Sequence, residues 1–77
     1  MKKLDCETIQ QYIVYKWIQK NFDGDNINLT LVDRYTILLK DGYDHALISF
    51  YNEMIYLMYS NKYNYKIEKI PFKKPYH

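Results

Sequence analysis

The spacing of apolar residues divides the chain into one helical segment followed by a series of strands. From Asp5 to Asn21, apolar residues recur at helical spacing and form one stripe along a helix. The residues of this predicted stripe are Cys6, Ile9, Ile13, Val14 and Trp17. Asp5 is the expected N-cap, and Asn21 with Gly24 supplies the stop signals. The sequence therefore predicts a helix over residues 5–21.

After a polar loop at residues 22–26 the period changes to two, and β-branched, aromatic and leucine residues predominate. The predicted strands cover residues 27–32, 35–40, 45–51, 54–60 and 63–70. The candidate turns between them are Asp33-Arg34, Asp41-Gly42, Asn52-Glu53 and Asn61-Lys62. An alternative is that the first two strands form one long bent strand. Connections this short make neighbouring strands antiparallel, so the predicted sheet is a meander.

The predicted fold is α+β, with the N-terminal helix packed on a four- or five-stranded antiparallel β-meander. Residues 1–70 are expected to form a single domain, because 77 residues are too few for two independent cores. Pro71 and Pro75 disfavour regular structure, so residues 71–77 are expected to form an extended basic tail. A domain of this size has a small margin of stability, which favours association with a partner or a second copy.

Both faces of the later predicted strands are apolar. The two alternating sets in residues 54–59 are Met54, Tyr56 and Met58 on one face and Ile55, Leu57 and Tyr59 on the other. One helix, about 10 Å across, covers roughly half of one face of a sheet about 20 Å wide. Curling of the sheet, dimerisation or a bound protein can cover the remainder. If the helix packs on the opposite face, the candidate protein-binding residues are Tyr51, Tyr56, Met58 and Tyr59.

Composition is typical of a folded intracellular protein, with 48% hydrophobic and 26% charged residues. The single cysteine, Cys6, cannot form an intramolecular disulfide, which favours a reducing compartment. No apolar run is long enough for a signal peptide or a membrane span, so the expected location is the bacterial or host-cell cytoplasm. The abundance of Lys, Ile, Tyr and Asn indicates an AT-rich genome, such as that of a phage or prophage.

No residue pattern indicates catalysis. Cys6 lies on the predicted apolar stripe, where an inert buried thiol is expected. Two histidines and one cysteine supply too few ligands for a zinc site, and the loop from Asp23 to Asn28 lacks the ligand spacing of a calcium loop. Two glycines leave no phosphate-binding loop. The sequence therefore predicts a protein that is not an enzyme and holds no cofactor and no metal.

Charge is distributed unevenly along the chain, although the net charge is only +2. Residues 23–44 are mainly acidic, whereas residues 62–77 are basic, with aromatic residues between the lysines. This combination is typical of single-stranded nucleic-acid binding, which uses phosphate contacts and base stacking. The residues of this alternative are Lys62, Tyr63, Tyr65, Lys66, Lys69, Lys73 and Lys74. A solvated edge strand whose lysines oppose aggregation explains the same residues without a ligand.

The leading functional hypothesis from the sequence is a small non-enzymatic protein, encoded by a phage, prophage or similar element, that covers a surface of another protein. It rests on the surplus of apolar and tyrosine side chains in the strands and on the lack of any pattern for catalysis. A nucleic-acid-binding module is the first alternative. A structural homo-oligomer, of which a dimer is the simplest form, is the second.

Overall fold

The computed structural model describes residues 4–22, 24 and 26–72. Within them, helix α1 and strands β1 to β5 cover Ile9–Asn21, Asn28–Asp33, Thr36–Asp41, Asp44–Tyr51, Met54–Ser60 and Tyr65–Pro71. The strands form a five-stranded sheet in the order β1-β2-β3-β4-β5, and every neighbouring pair is antiparallel. The prediction of an α+β fold with an N-terminal helix on an antiparallel meander is confirmed. A turn separates β1 from β2, so the alternative of one bent strand is wrong.

The helix begins later than the apolar pattern predicts, with Thr8 rather than Asp5 as its N-cap. The Gln11 backbone N–H donates to Thr8 Oγ1 at 3.1 Å, and the Thr8 N–H donates to Gln11 Oε1 at 3.1 Å. This reciprocal pair is a capping box. Asp5 lies three residues before this N-cap, outside the helix. The predicted N-cap is therefore wrong.

The buried side of α1 also differs from the predicted stripe. Gln11, Val14 and Ile18 are the buried residues of the helix and share one face by their i, i+3, i+7 spacing. Ile9, which the pattern assigned to the stripe, is 76% exposed. Trp17 packs only partly against the core. The buried face therefore shares Val14 with the predicted stripe but is rotated away from Ile9, because the pattern treated Gln11 as a solvent-facing residue.

Two hydrogen bonds to the β1–β2 turn set the rotation of α1. Gln11 Nε2 donates to the Asp33 carbonyl at 2.7 Å, and Thr8 Oγ1 donates to the Arg34 carbonyl at 2.6 Å. Both capping side chains thus bond to the helix and to the sheet at the same time. Because these bonds require Gln11 to face the sheet, they bring Val14 and Ile18 over the strands and turn Ile9 toward solvent.

The core lies between α1 and one face of the sheet. Its buried members are Val14, Ile18, Ile27, Ile37, Leu39, Ala46, Ile48 and Ile55. Alternate residues of β2, β3 and β4 supply the sheet side of this core, since side chains alternate between faces along a strand. Full burial of a side chain such as Ile48 contributes about 1.5–3 kcal/mol. α1 packs mainly over β2 and β3, and within the described chain no second helix covers the opposite face.

The predicted turn at Asn52-Glu53 is confirmed and has an unusual backbone. Asn52 and Glu53 both have positive φ, 52° and 59°. Positive φ at both central residues is the geometry of a type I′ turn, whose twist matches that of the flanking strands. Gly42, in the predicted turn between β2 and β3, also has a positive φ of 64°.

The end of the described chain departs from the predicted tail. Pro71 is the last residue of β5, and the ring of Phe72 packs edge-on against Phe50 with centroids 5.1 Å apart. Residues 73–77, the remainder of that tail, lie outside the described residues, as do Asp23 and Asp25 of the candidate calcium loop. Among the described helices, none is long and apolar enough to cross a membrane.

Candidate functional site

The sheet face opposite α1, which we refer to as the open face, is crossed by a row of apolar side chains. The strand register places Leu38 opposite Leu47, Leu47 opposite Met58, and Met58 opposite Ile67. These four residues, the apolar row, run across β2 to β5 and span about 14 Å at the usual strand spacing. Leu38 and Leu47 are half-buried, whereas Met58 is 41% and Ile67 is 59% exposed.

Tyrosine and methionine side chains flank the apolar row on the same face. Tyr56 and Met54 continue the apolar surface along β4, and Tyr51 lies opposite Met54 in β3. The Tyr51 ring meets the Tyr35 ring edge-on, with centroids 5.5 Å apart. Tyr65, on the other side of the row, is 65% exposed. A contiguous exposed apolar patch with aromatic residues is typical of a protein-binding surface.

The charged residues at open-face positions of β2 to β5 are both lysines. Lys40 lies on β2, and Lys69 lies on β5 with its Nζ 6.0 Å from the centroid of the Tyr56 ring. The Thr36 and Ser49 hydroxyl groups, which also lie on this face, bond to each other at 2.7 Å. This bond uses one of the two hydroxyl donors. The apolar row crosses the face between the two lysines, and the exposed His45 lies opposite Lys40 at its margin.

The structure brings together three of the four predicted protein-binding residues. Tyr51, Tyr56 and Met58 lie on the open face, as the sequence analysis required. Tyr59 lies on the helix side, half-buried against the core. Its hydroxyl donates to Asp44 Oδ1 at 2.8 Å and accepts from Asn61 Nδ2 at 3.0 Å. Tyr59 is therefore not part of the open face.

Hydrogen bonding changes the acidity of Tyr59. The bond from its hydroxyl to the Asp44 carboxylate raises the pKa of Tyr59 above its usual value of 10.0, since this bond stabilises the protonated hydroxyl. The nearby negative charge of Asp44 acts in the same direction. The tyrosine thus remains a neutral donor that anchors the beginning of β3 to the end of β4.

Three residues of the apolar row were not among the predicted binding residues. Leu38 and Leu47 have a detectable signal, because they alternate with the core residues of β2 and β3. Ile67 has no such signal, since its position in line with Met58 depends on the β4–β5 register. The row as a unit is therefore a property of strand pairing.

The residues of the nucleic-acid alternative are divided between two faces. Lys66 lies on the helix side of β5, where its Nζ pairs with Glu68 at 2.6 Å. Tyr65 and Lys69 point to the open face. A strand that binds a nucleic-acid chain needs its cations and aromatic rings along one continuous surface. The alternation in β5 separates Lys66 from this set.

Lys62, another residue of the nucleic-acid alternative, precedes β5 in the chain. Lys62 lies between two tyrosine rings at the end of the sheet, with its Nζ 5.8 Å from the Tyr43 centroid and 5.7 Å from the Tyr63 centroid. These distances are typical of cation–π contacts. Lys73 and Lys74 lie outside the described residues.

The described residues contain no arrangement that suggests catalysis. Burial raises the pKa of the Cys6 thiol, and the charge of Asp5 raises it further, so the nucleophilic thiolate is disfavoured. Asp44 and His45 are neighbours in β3 and therefore point to opposite faces. No group of three or more His, Cys, Asp and Glu residues in the described part of the chain lies close enough to hold a metal ion.

No family model, no curated protein and no solved structure matches the chain. The described chain folds as a two-layer α+β domain with one helix on one face of a five-stranded meander. Within the described residues, the other face presents an apolar row, a tyrosine-rich margin and two lysines.

Proposed function

We propose that this chain is a non-enzymatic binding protein whose open face docks on another protein. The observation that carries the proposal is the apolar row, with Met58 and Ile67 exposed beside Tyr56 and Tyr65. Monomeric domains seldom leave a contiguous apolar patch of this kind in water, and such patches commonly bind proteins. Docking would remove these side chains from water at about 25 cal/mol for each Å² of apolar surface buried.

The charges of the open face indicate the chemistry of the partner. Lys40 and Lys69 lie on different strands at the margins of the apolar row. A partner with carboxylates opposite these two lysines would form ion pairs at the margin, while its apolar residues would contact the apolar row and exclude water. This arrangement is usual in protein interfaces. We therefore expect an acidic protein surface with apolar residues at its centre.

The origin of the chain forms part of the same proposal. Its richness in Lys, Ile, Tyr and Asn supports an AT-rich genome such as that of a phage or prophage. A small protein from such an element that binds through one face acts on its partner by covering a surface, and this role requires no catalytic group.

Site-specific photocrosslinking tests the proposal. A photoreactive residue replaces Met58 on the open face or, as the matched control, Ile9 on the outer side of α1. We expect a crosslinked protein from the Met58 position and none from the Ile9 position. The crosslinked protein is then purified, and its affinity is measured for the parent chain, Met58→Glu and Ile9→Glu. Circular dichroism and urea unfolding confirm that both variants fold.

The two variants are expected to differ in their affinity for the partner. Met58→Glu places a carboxylate at the centre of the surface and is expected to weaken binding at least about thirtyfold, the cost of a hot-spot residue. Ile9→Glu is expected to leave binding unchanged, since Ile9 faces away from the sheet. Loss of binding in Ile9→Glu with full binding in Met58→Glu contradicts the proposal. Steeply salt-dependent binding of single-stranded DNA, without a protein partner, supports the nucleic-acid alternative instead.

A further inference from the structure

Two backbone hydrogen bonds show which residues of β5 bond to β4 and which direct their backbone groups to the outer edge of the sheet. β5 is the last strand of the sheet, so only β4 lies beside it within the described chain. The Phe72 N–H donates to the Glu53 carbonyl at 3.1 Å, and the Asn61 N–H donates to the Asn64 carbonyl at 2.9 Å. These bonds lie at the two ends of the β4–β5 ladder and agree with its register. Bonded positions alternate along antiparallel strands, so the even-numbered residues of β5 bond to β4.

The odd-numbered residues of β5 therefore direct their backbone groups away from β4. Tyr65, Ile67 and Lys69 present both N–H and C=O groups at this edge. The backbone of Pro71 also points away from β4, so the N–H group that proline lacks would not have bonded to β4. This explains why β5 includes a proline that the sequence analysis assigned to an irregular tail. The edge offers a second strand a complete set of donors and acceptors over these residues.

We infer that this edge pairs antiparallel with the same edge of a second copy of the chain, with Ile67 opposite Ile67. Tyr65 of each copy then lies opposite Lys69 of the other, and about six backbone hydrogen bonds join the two strands. On the helix side, Lys66 of each copy lies opposite Glu68 of the other. Opposite charges on directly facing strand residues stabilise the pairing, and this contact occurs twice around the twofold axis.

The charge pattern selects this register over its neighbours. A shift that preserves the backbone phase and the twofold axis places either Lys66 opposite Lys66 or Glu68 opposite Glu68. Both alternatives put like charges directly opposite each other, which is destabilising. The register centred on Ile67 avoids both contacts. Lys66 and Glu68 lie 2.6 Å apart within one chain. In the dimer, each copy therefore contributes one lysine and one glutamate to the two contacts between the copies.

The opposite edge of the sheet is less suited to the same pairing. The β1–β2 ladder contains an irregularity between Leu31 and Asp33, so β1 is disturbed near its end. Such irregularities twist an edge strand and limit its pairing with another chain. β5, by contrast, pairs with β4 over its whole length without a register shift.

The paired dimer goes beyond the proposed function, because it changes the size of the docking surface. Ile67 of the two copies meets at the axis, so the apolar row continues from one copy into the other. The combined row crosses eight strands and spans about 34 Å. Both helices lie on one side of the joined sheet and both open faces lie on the other.

A charge-swap experiment tests the pairing in the full-length chain. Self-association of the parent chain, Lys66→Glu, Glu68→Lys and the double variant is measured by sedimentation equilibrium over a range of concentrations. The parent is expected to form a dimer, and each single variant to weaken it at least about tenfold, because two attractive contacts become repulsive. The double variant, in which both charges are exchanged, is expected to regain the parent affinity. An equimolar mixture of the two single variants is expected to form a heterodimer.

A parent chain that stays monomeric at every concentration overturns the inference, as does a dimer that none of the charge changes affects. Hydrogen exchange supplies an independent measurement. The amide protons of Tyr65, Ile67 and Lys69 are expected to gain protection as concentration rises, whereas those of Lys66 and Glu68 are protected by β4 at all concentrations. Unchanged exchange at Ile67 in a dimer also contradicts the inference. Lys66 and Glu68 lie on the helix side, so their variants leave the open-face side chains of each single copy unchanged.

Discussion

Gln11 has hydrogen-bonding roles in both the helix and the sheet. Its side-chain oxygen accepts from the N–H groups of Thr8 and Glu7, at 3.1 and 2.6 Å, and its amide nitrogen donates to Asp33 at 2.7 Å. The side chain is only 4% exposed. A buried amide is costly unless both its ends are bonded, and Gln11 meets this condition by joining the N-terminus of α1 to the β1–β2 turn.

Substitutions at Gln11 separate these two roles. Gln11→Ala is expected to lower the free energy of unfolding by about 2 kcal/mol, because it removes the cap and leaves the Asp33 carbonyl unpaired. Gln11→Glu keeps the capping acceptor but turns a carboxylate oxygen toward the Asp33 carbonyl at a buried position, so a loss at least as large is expected. Urea denaturation followed by circular dichroism measures both. Gln19→Ala, at an exposed position of the same helix, is the control, and a loss there equal to that of Gln11→Ala contradicts the assignment.

The bond between Tyr59 and Asp44 predicts a dependence of stability on alkaline pH. The pKa of Tyr59 is raised in the folded state, so its contribution is complete below the usual value of 10.0 and is lost as pH rises through the folded-state pKa. Tyr59→Phe is therefore expected to be less stable than the parent at neutral pH, with a difference that shrinks at high pH. Thermal melts from pH 7 to 11 measure this difference. In the control Tyr63→Phe, at an 82% exposed tyrosine, no such convergence is expected.

At the scale of elements, the hairpin turns hold the sheet in register. The two-residue turn at Asn52-Glu53 places Tyr51 opposite Met54, and the rest of the β3–β4 ladder follows from that pairing. Asparagine adopts positive φ more readily than most residues, whereas glutamate carries a steric cost there. The turn therefore contains a strained residue at Glu53.

Two substitutions with opposite expected signs test this account of the turns. Glu53→Gly is expected to raise the free energy of unfolding by about 0.5–1 kcal/mol, because glycine adopts positive φ without a steric penalty. Gly42→Ala is expected to lower it by about 1 kcal/mol, for the converse reason. A Cβ at Gly42 meets no atom within 4 Å, so its cost comes from the backbone alone. Urea midpoints measure both, and a loss of stability in Glu53→Gly contradicts the explanation.

At the scale of the whole molecule, the two faces of the sheet have different surroundings. The covered face supplies the core, where Ile48 and Ile55 are fully buried beneath α1. The open face also carries apolar side chains, but Met58 and Ile67 remain in contact with water. A single helix cannot cover both sides of a sheet, so α1 leaves the open face uncovered within the described residues.

Truncation of one residue on each face distinguishes their roles in stability. Ile48→Ala is expected to cost about 3 kcal/mol, since it leaves a cavity in a close-packed core. Met58→Ala is expected to cost less than about 1 kcal/mol, because its side chain is 41% exposed. Chemical denaturation measures both in the isolated protein. A comparable loss for Met58→Ala shows that the open face is already covered by the chain itself and removes the basis for docking.

Much of the fold was predictable because it depends on local interactions. The turn at Asn52-Glu53 lies where it was predicted, and the turn between β2 and β3 is Gly42-Tyr43, one residue after the predicted pair. These turns and the alternation of residues 54–60 determine where strands begin and end. The antiparallel order then follows from short connections. The candidate site was predictable only in part. Alternation by itself places Tyr59 on the opposite face from Tyr56 and Met58, so the predicted set of four combined two faces. Alternation does not reveal which of the two faces the helix covers.

The sequence by itself determined the helix, the strands, their order and the presence of apolar residues on both faces, since each depends on neighbouring residues. Only the tertiary structure decided which side of α1 is buried, because the bonds from Gln11 to Asp33 and from Thr8 to Arg34 join residues far apart in the chain. Strand pairing likewise decided that Leu38, Leu47, Met58 and Ile67 form one row. It also decided which backbone groups of β5 point away from β4. Neither feature is visible in a short stretch of sequence, because both depend on contacts between residues far apart in the chain.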